Sequence, residues 1–412
     1  MSGALFDAAL RVAAADAGTP VARLLHVPVL VRPCAVAVTA RRAGKGVRVQ
    51  AIGADGTVHE GVGAAGLAAI ATAAGGPVDA LAVGPTGVLS DAVTLPLLAR
   101  LAGQHTDPAR EGAAVLAGSA VAGWWCERAD HPGSGAVCEL LPTTRQRWVL
   151  GVVPGQDTAA LWRRALRIGG GTRAALRWQR AVTAGTVLPG LGVIAADDDW
   201  LLERYRDSVD AGRSWQVPES LGLAAQRLRS RCDAADVYAA ALLEDPIWRA
   251  RSVHTGHVLA GTVAVGAASG QGRVQVAAQR LDTRLRVGSE VVGWAGAPLD
   301  PMPGPGDRFT GTVTATAVEH GTLVVTVGGL GRSGYRPTAS EPVTVIGAPP
   351  SPSTIRSARM MLARLYKRRF SWLSQGATPE PVRRDVPLDV LIAAAEDDDE
   401  PATAGPTMRK GT

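Results

Sequence analysis

The chain has 412 residues, more than one hydrophobic core usually spans, so two or three folded units and a tail are expected. Hydrophobic residues make up 46% and charged residues 19%, which excludes disorder throughout, and the 4% aromatic content calls for cores built from small side chains. The net charge is +6, and all but Lys45, Lys367 and Lys410 of its 43 basic residues are Arg, a planar donor fork suited to phosphate and carboxylate. A coding bias that enriches Ala, Gly and Val also explains much of the Arg excess. The basic balance still points to nucleic acid or an anionic surface as partner.

Cys34, Cys126, Cys138 and Cys232 contain no C-x-x-C pair and read as free thiols of a reducing compartment, so a cytoplasmic location is expected. The N-terminus lacks the basic start and cleavage pattern of a signal peptide. The longest uncharged run, residues 61–78, is dominated by Gly and Ala and reads as a loop and a helix, with no transmembrane segment.

In chain order, residues 1–104 read as a small α/β domain. Residues 27–39 and 47–52 are β-branched runs joined by a hairpin turn over 41–46, and Asp55-Gly56 makes a tight turn. Residues 65–74 suit a helix stopped by Gly75-Gly76-Pro77, and 79–83 suit a short buried strand. Residues 105–252 read as mainly helical. Thr106-Asp107-Pro108 opens one helix and Asp157 or Thr158 caps another. Thr172 starts a third, Asp197-Asp198-Asp199 opens a fourth through 209, and 221–243 forms a fifth ending at Asp245-Pro246. Residues 147–153 interrupt the series with a strand-like patch.

Residues 253–350 carry an internal repeat. Gly261-Thr262-Val263 recurs as Gly311-Thr312-Val313, Ser289-Glu290 as Ser340-Glu341, and Gly296-Ala297-Pro298 as Gly347-Ala348-Pro349. Two units of about fifty residues suggest paired small antiparallel barrels or one duplicated sandwich. Residues 351–375 form a basic amphipathic helix, and residues 376–412 an acidic disordered tail with the run 396–400. Within the tail, 387–392 is an apolar island able to dock on a protein partner. The fold class is therefore α+β and multidomain: an α/β start, a helical middle, a duplicated β-barrel or sandwich module, a basic helix and a tail.

No motif fixes a reaction. Gly169-Gly170-Gly171-Thr172 lacks the strand and the Lys of a phosphate loop and reads as a turn. Asp197, Asp198 and Asp199 suit either a divalent cation or, better, the dipole of a helix start. His131 between Cys126 and Cys138 is not a usual ligand set, and Ser134 in Gly133-Ser134-Gly135 is not a nucleophile elbow. No catalytic residue, metal or cofactor is assigned.

The best candidate is the late helix. Arg356, Arg359, Arg364, Lys367, Arg368 and Arg369 flank a stripe of Ile355, Ala358, Leu362 and Leu365, with Tyr366, Phe370 and Trp372 following. Cations beside aromatics suit phosphate contacts with base stacking. The same pattern fits a docked structural helix or an anionic membrane surface. A second basic set comprises Arg145, Arg147, Arg163, Arg164, Arg167, Arg173, Arg177 and Arg180, with Trp148, Trp162 and Trp178 among them; Arg163, Arg164 and Arg167 line one helix flank. The expectation is a non-catalytic nucleic-acid-associated protein whose two Arg sets share one open face. The alternatives are a scaffold or assembly protein binding partners through strand edges and tail, and an enzyme with a site assembled only in space.

Overall fold

The computed structural model describes residues 3–76, 79–171, 173–212, 221–264, 272–331 and 334–367. The chain is a mixed α+β protein. After α1 (Gly3–Ala17) and β1 (Val21–Ala22), strands β2 (Ala35–Ala43), β3 (Gly46–Ile52) and β4 (Val58–Val62) form an antiparallel meander. The β2–β3 turn is made at Gly44, whose φ of 59° a side chain would resist. Helices α2 (Ala64–Ala73) and α3 (Ala80–Val83) lead to β5 (Thr86–Leu89), and α4 (Thr94–Gln104) and α5 (Ala113–Arg128) lead to β6 (Val137–Glu139). β5 lies parallel to β2 and β6 parallel to β5, giving the order β4-β3-β2-β5-β6.

The run at 27–39 becomes a strand only from Ala35, because Pro28 and Pro33 withhold ladder donors. Val27 instead bridges to Val187. Residues 79–83 are not a strand: α3 makes one turn there and ends at Gly84 with φ 56°, and β5 follows. A short apolar run alone does not separate the two. The turn at Asp107-Pro108 likewise stays a turn, and α5 begins at Ala113.

Side chains alternate across the sheet. Val36, Val38 and Ala40 face a core with α2, α4 and α5 that buries Trp124 and Trp125. Ala37, Ile52 and Val88 face a second core on the opposite side. That side is covered by α6 (Leu140–Arg147), α7 (Ala159–Ala165) and α8 (Ala174–Val182). The patch at 147–153 reduces to β7 (Trp148–Val149), paired with β1.

Helices α9 (Leu191–Asp210), α10 (Leu221–Leu242) and α11 (Pro246–Val253) follow. Asp197, Asp198 and Asp199 do not open α9, which starts at Leu191. Their positions are set by ion pairs to Arg359, Arg128 and Arg32, not by the helix dipole. Asp245 caps α11 through bonds from the Ile247 and Trp248 amides at 3.0 and 3.1 Å. Its second oxygen accepts from the Leu25 and His26 amides and faces the His26 ring at 2.9 Å.

Strands β8 (Val258–Val263), β9 (Val274–Ala278), β10 (Glu290–Ala295), β11 (Phe309–Glu319), β12 (Thr322–Gly328) and β13 (Pro342–Gly347) form one six-stranded antiparallel sheet. The order runs β10-β11-β12-β9-β8-β13, and β13 pairs back onto β10. The repeat units do not form two separate barrels; each supplies three strands to this shared sheet, since three strands alone leave their apolar face uncovered. Counterpart strands are β8 and β11, β9 and β12, β10 and β13; β8–β9 mirrors β11–β12, β10–β11 mirrors β13–β8, and β9–β12 and β10–β13 join counterparts to each other. Two of the four cross-unit ladders, β10–β11 and β13–β8, correspond but differ by one residue: Val291 lies opposite Gly311, but its counterpart Pro342 lies opposite Thr262. The interior is filled by Val276, Val325, Val327, Val345 and Phe309. Arg249 of α11, fully buried, donates to the Pro298, Leu243, Glu244 and Asp300 carbonyls and lies 5.3 Å from the Trp294 ring centroid. It bolts the helical region to this sheet.

The basic helix is α12 (Pro352–Lys367), packed on α10. The expected acidic tail, with 387–392 and 396–400, lies outside the described residues, as do Thr172, Arg368, Arg369, Phe370 and Trp372.

Candidate nucleic-acid interface

The two Arg sets meet different fates. In α12, Arg359 reaches across to Asp197 at 2.8 Å and Asp233 at 3.3 Å, so its charge anchors the helix to α9 and α10. Arg356 points its Nε at the Pro352 carbonyl, and Arg364 is exposed. Lys367 ends the helix.

The second set sits on α7 and α8. Thr158 caps α7, its hydroxyl accepting from the Leu161 amide. Both helices are amphipathic in the ordinary sense, with the apolar face inward. Trp162 and Trp178 point into the core and donate to Asp157 and to the Thr144 hydroxyl, so neither indole is available for stacking on a base. Trp148 is half-buried, with the Arg147 guanidinium 4.5 Å from its ring centroid. Arg147 itself is buried and donates to the Val182 carbonyl, and Arg145 grips Asp157. These two belong to the scaffold.

The outer side of the pair is different. Arg163, Arg164, Arg167, Arg173, Arg177 and Arg180 are all exposed, and among the described residues none pairs with a carboxylate. Arg177 spans the glycine turn, donating to the Gly169 and Gly170 carbonyls. Composition explains the missing partners. Residues 158–196 contain these six Arg and no Asp, Glu or Lys, so this stretch alone carries a charge equal to the +6 of the whole chain. That absence of acids is the sequence signal that a count of basic residues overlooks.

The same face of the sheet extends past α8. Arg41 and Arg48 are cross-strand neighbours, both exposed, on the side where Ala37 and Ile52 meet α8. From Ala37 to Arg41 is about 13 Å of strand. Arg41 pairs with Asp91 at 2.6 Å, and Arg48 has no ion pair among the described residues. Burial acts against the Asp91 carboxylate, but bonds from Arg41 and Thr94 outweigh it and hold it below its usual range. Because α5 and the second half of α9 lie on the opposite face of the sheet, the α7–α8 arginines and the α9–α10–α12 ion pairs are separate features.

Elsewhere the chemistry is structural. Asp198, almost fully buried, accepts from Arg128 at 2.5 Å, the Ser134 hydroxyl at 2.8 Å and the Gly135 amide at 3.0 Å, which accounts for the Gly-Ser-Gly turn. A cavity of about 280 Å³ beside the edge strand β6 is lined by His131, Ser134, Glu139, Gln146 and Tyr238. Burial, with Arg128, Arg231 and Arg359 adding to it, pushes His131 down to about 3, so the ring is neutral. Burial pushes the Cys126 and Cys138 thiols up to about 12, which makes both poor nucleophiles. Among the described residues no three His, Cys, Asp or Glu side chains are grouped to hold a metal ion, and no helix is long and apolar enough to cross a membrane.

No family model matches the chain, and neither a curated protein nor a solved structure shows similarity to it.

Proposed function

We propose that the protein associates with nucleic acid through the outer face of α7 and α8, with the Arg41–Arg48 end of the sheet as a flank. One observation carries this reading: six exposed arginines in a stretch without a single acidic residue. Guanidinium groups left without carboxylates on a folded surface form a positive field that a phosphate backbone neutralises. With Trp162 and Trp178 buried, the contact is to phosphates and not to bases, so little sequence preference is expected. Among the side chains that are described, the role of α12 in this reading rests on Arg356 and Arg364, since Arg359 is engaged internally. The β module, read as a duplicated barrel, is a support for the helices in this reading.

The test is electrophoretic shift across a salt series. Wild type binds duplex at low salt and weakens steeply as salt rises, by counterion release. Replacing Arg163, Arg164 and Arg167 together with Gln lowers the log–log salt slope by up to about 2.7, at about 0.9 for each phosphate that is no longer neutralised. An unchanged slope in that variant, or no binding by wild type at low salt, removes the proposal.

A further inference from the structure

A second cavity, of about 220 Å³, opens beside the start of α7. Arg11 of α1, Arg23 after β1, Arg145 of α6, Trp148 of β7 and Asp157 line it. Its charges do not balance. Asp157 is taken by Arg145, Nε to Oδ2 at 2.9 Å and a second bond at 3.0 Å. Asp7 is shared between Arg23 at 3.5 Å and Arg251 at 3.0 Å. Arg11 has no carboxylate partner among the described residues. The lining thus holds three guanidinium groups and one carboxylate, an excess of two positive charges around a concave space, and Asp7 outside the lining is divided between Arg23 and Arg251. Arg23 donates to the Arg145 carbonyl at 3.1 Å, but its Nε is buried without a hydrogen-bond partner among the described residues. Burial pushes its guanidinium below the usual range; Asp7 opposes this, and Arg11 and Arg251 add to it.

We propose that this cavity binds a phosphate monoester dianion, such as the terminal phosphate of a nucleic-acid strand whose following phosphates run along α7. A dianion offsets both surplus charges, whereas a phosphodiester or a carboxylate offsets one. Arginine forks suit tetrahedral oxyanions through paired, charge-assisted bonds. The space is smaller than the cavities that enclose a drug-sized ligand, so it takes the end of a chain. Asp157 lies just before the Thr158 cap of α7, and Arg163 and Arg164 follow about 10 Å further along the helix. The strand-end source rests on the proposed function; the monoester chemistry does not.

The experiment uses two oligonucleotides identical except for a terminal phosphate, together with inorganic phosphate and a nucleoside monophosphate. The protein is wild type, Arg11→Gln, or Arg23→Gln as a second variant. Wild type is expected to bind the phosphorylated strand about tenfold more tightly than its twin, a difference of one well-placed charged contact. Arg11→Gln removes that preference and leaves affinity for the unphosphorylated strand unchanged. If neither strand binds but phosphate or the monophosphate raises the melting temperature of wild type and not of Arg11→Gln, the small-molecule source holds and the nucleic-acid reading fails. If wild type and both variants respond alike to every probe, the site is refuted.

Discussion

Three consecutive aspartates on α9 offer a measurement of how burial sets the worth of an ion pair. The Arg128–Asp198 side chains are 3% and 2% exposed, and Asp198 also accepts from Ser134 and Gly135. Asp199 is 64% exposed and among the described residues meets only Arg32, at 2.6 Å. Truncating Asp198 to Ala strands a buried guanidinium and orphans a hydroxyl and an amide. That costs about 3–5 kcal/mol, a large share of the roughly 5–15 kcal/mol that holds a domain folded. Truncating Asp199 to Ala costs at most about 1 kcal/mol, because water already screens the pair. Replacing Arg128 by Met together with Asp198 by Leu removes the uncompensated charge, so about 1–3 kcal/mol remains from Ser134 and Gly135. Equilibrium urea unfolding of the four proteins reads these differences directly. Equal losses for the Asp198 and Asp199 truncations, or a double variant as unstable as Asp198→Ala, would refute the reasoning.

Other outcomes follow from the same geometry. His131 is neutral in the fold because burial and nearby arginines lower its value to about 3, so protonation favours the unfolded chain. Its contribution is present above about pH 6.5 and is lost as pH falls toward 3, and His131→Asn should flatten the stability profile across that window. Burial raises the Glu244 carboxyl despite a bond from the Gly190 amide, so ionisation there opposes folding. Glu244→Gln should gain stability over wild type as pH rises through the carboxylate range, seen by thermal melts at about pH 4 and pH 7. A methyl added at Gly118 would overlap the Leu67 carbonyl where α5 crosses α2, and Gly118→Ala should destabilise by about 1–3 kcal/mol in urea. Arg249→Leu leaves four carbonyls short of a donor; limited proteolysis should then cut between α11 and β8 faster than in wild type.

Local punctuation was readable. The turns at Gly44 and Gly56, the helix over Ala64–Ala73, the Thr158 cap and the stop at Asp245-Pro246 all follow from residues whose backbone preferences act within a few positions. The repeat was readable too, because anchors such as Gly261 and Gly311 recur at near-constant spacing, but not the exchange of strands between units. Long-range pairing has no local signature. The same limit hid the fate of Asp198 and Arg359: an aspartate 70 residues from Arg128 and an arginine 162 residues from Asp197 give no hint of meeting. Trp162 and Trp178 looked like stacking partners for the arginines beside them, yet helical spacing turns those neighbours to opposite sides. The cavity near Arg11 joins side chains from α1, α6 and the loop before α7, which only the fold brings together.

The six-stranded sheet also governs how the molecule is made. Its final ladder joins Val258 to Ile346, so one edge of the first strand stays unpaired until almost the whole module has left the ribosome. Neither half has a complete set of neighbours by itself, and a fragment ending near residue 300 exposes unpaired edges to its own kind. That fragment and the complementary one carrying β11, β12 and β13, supplied separately, hold all the partners that one intact chain holds, and their mixing should restore the sheet as a non-covalent pair.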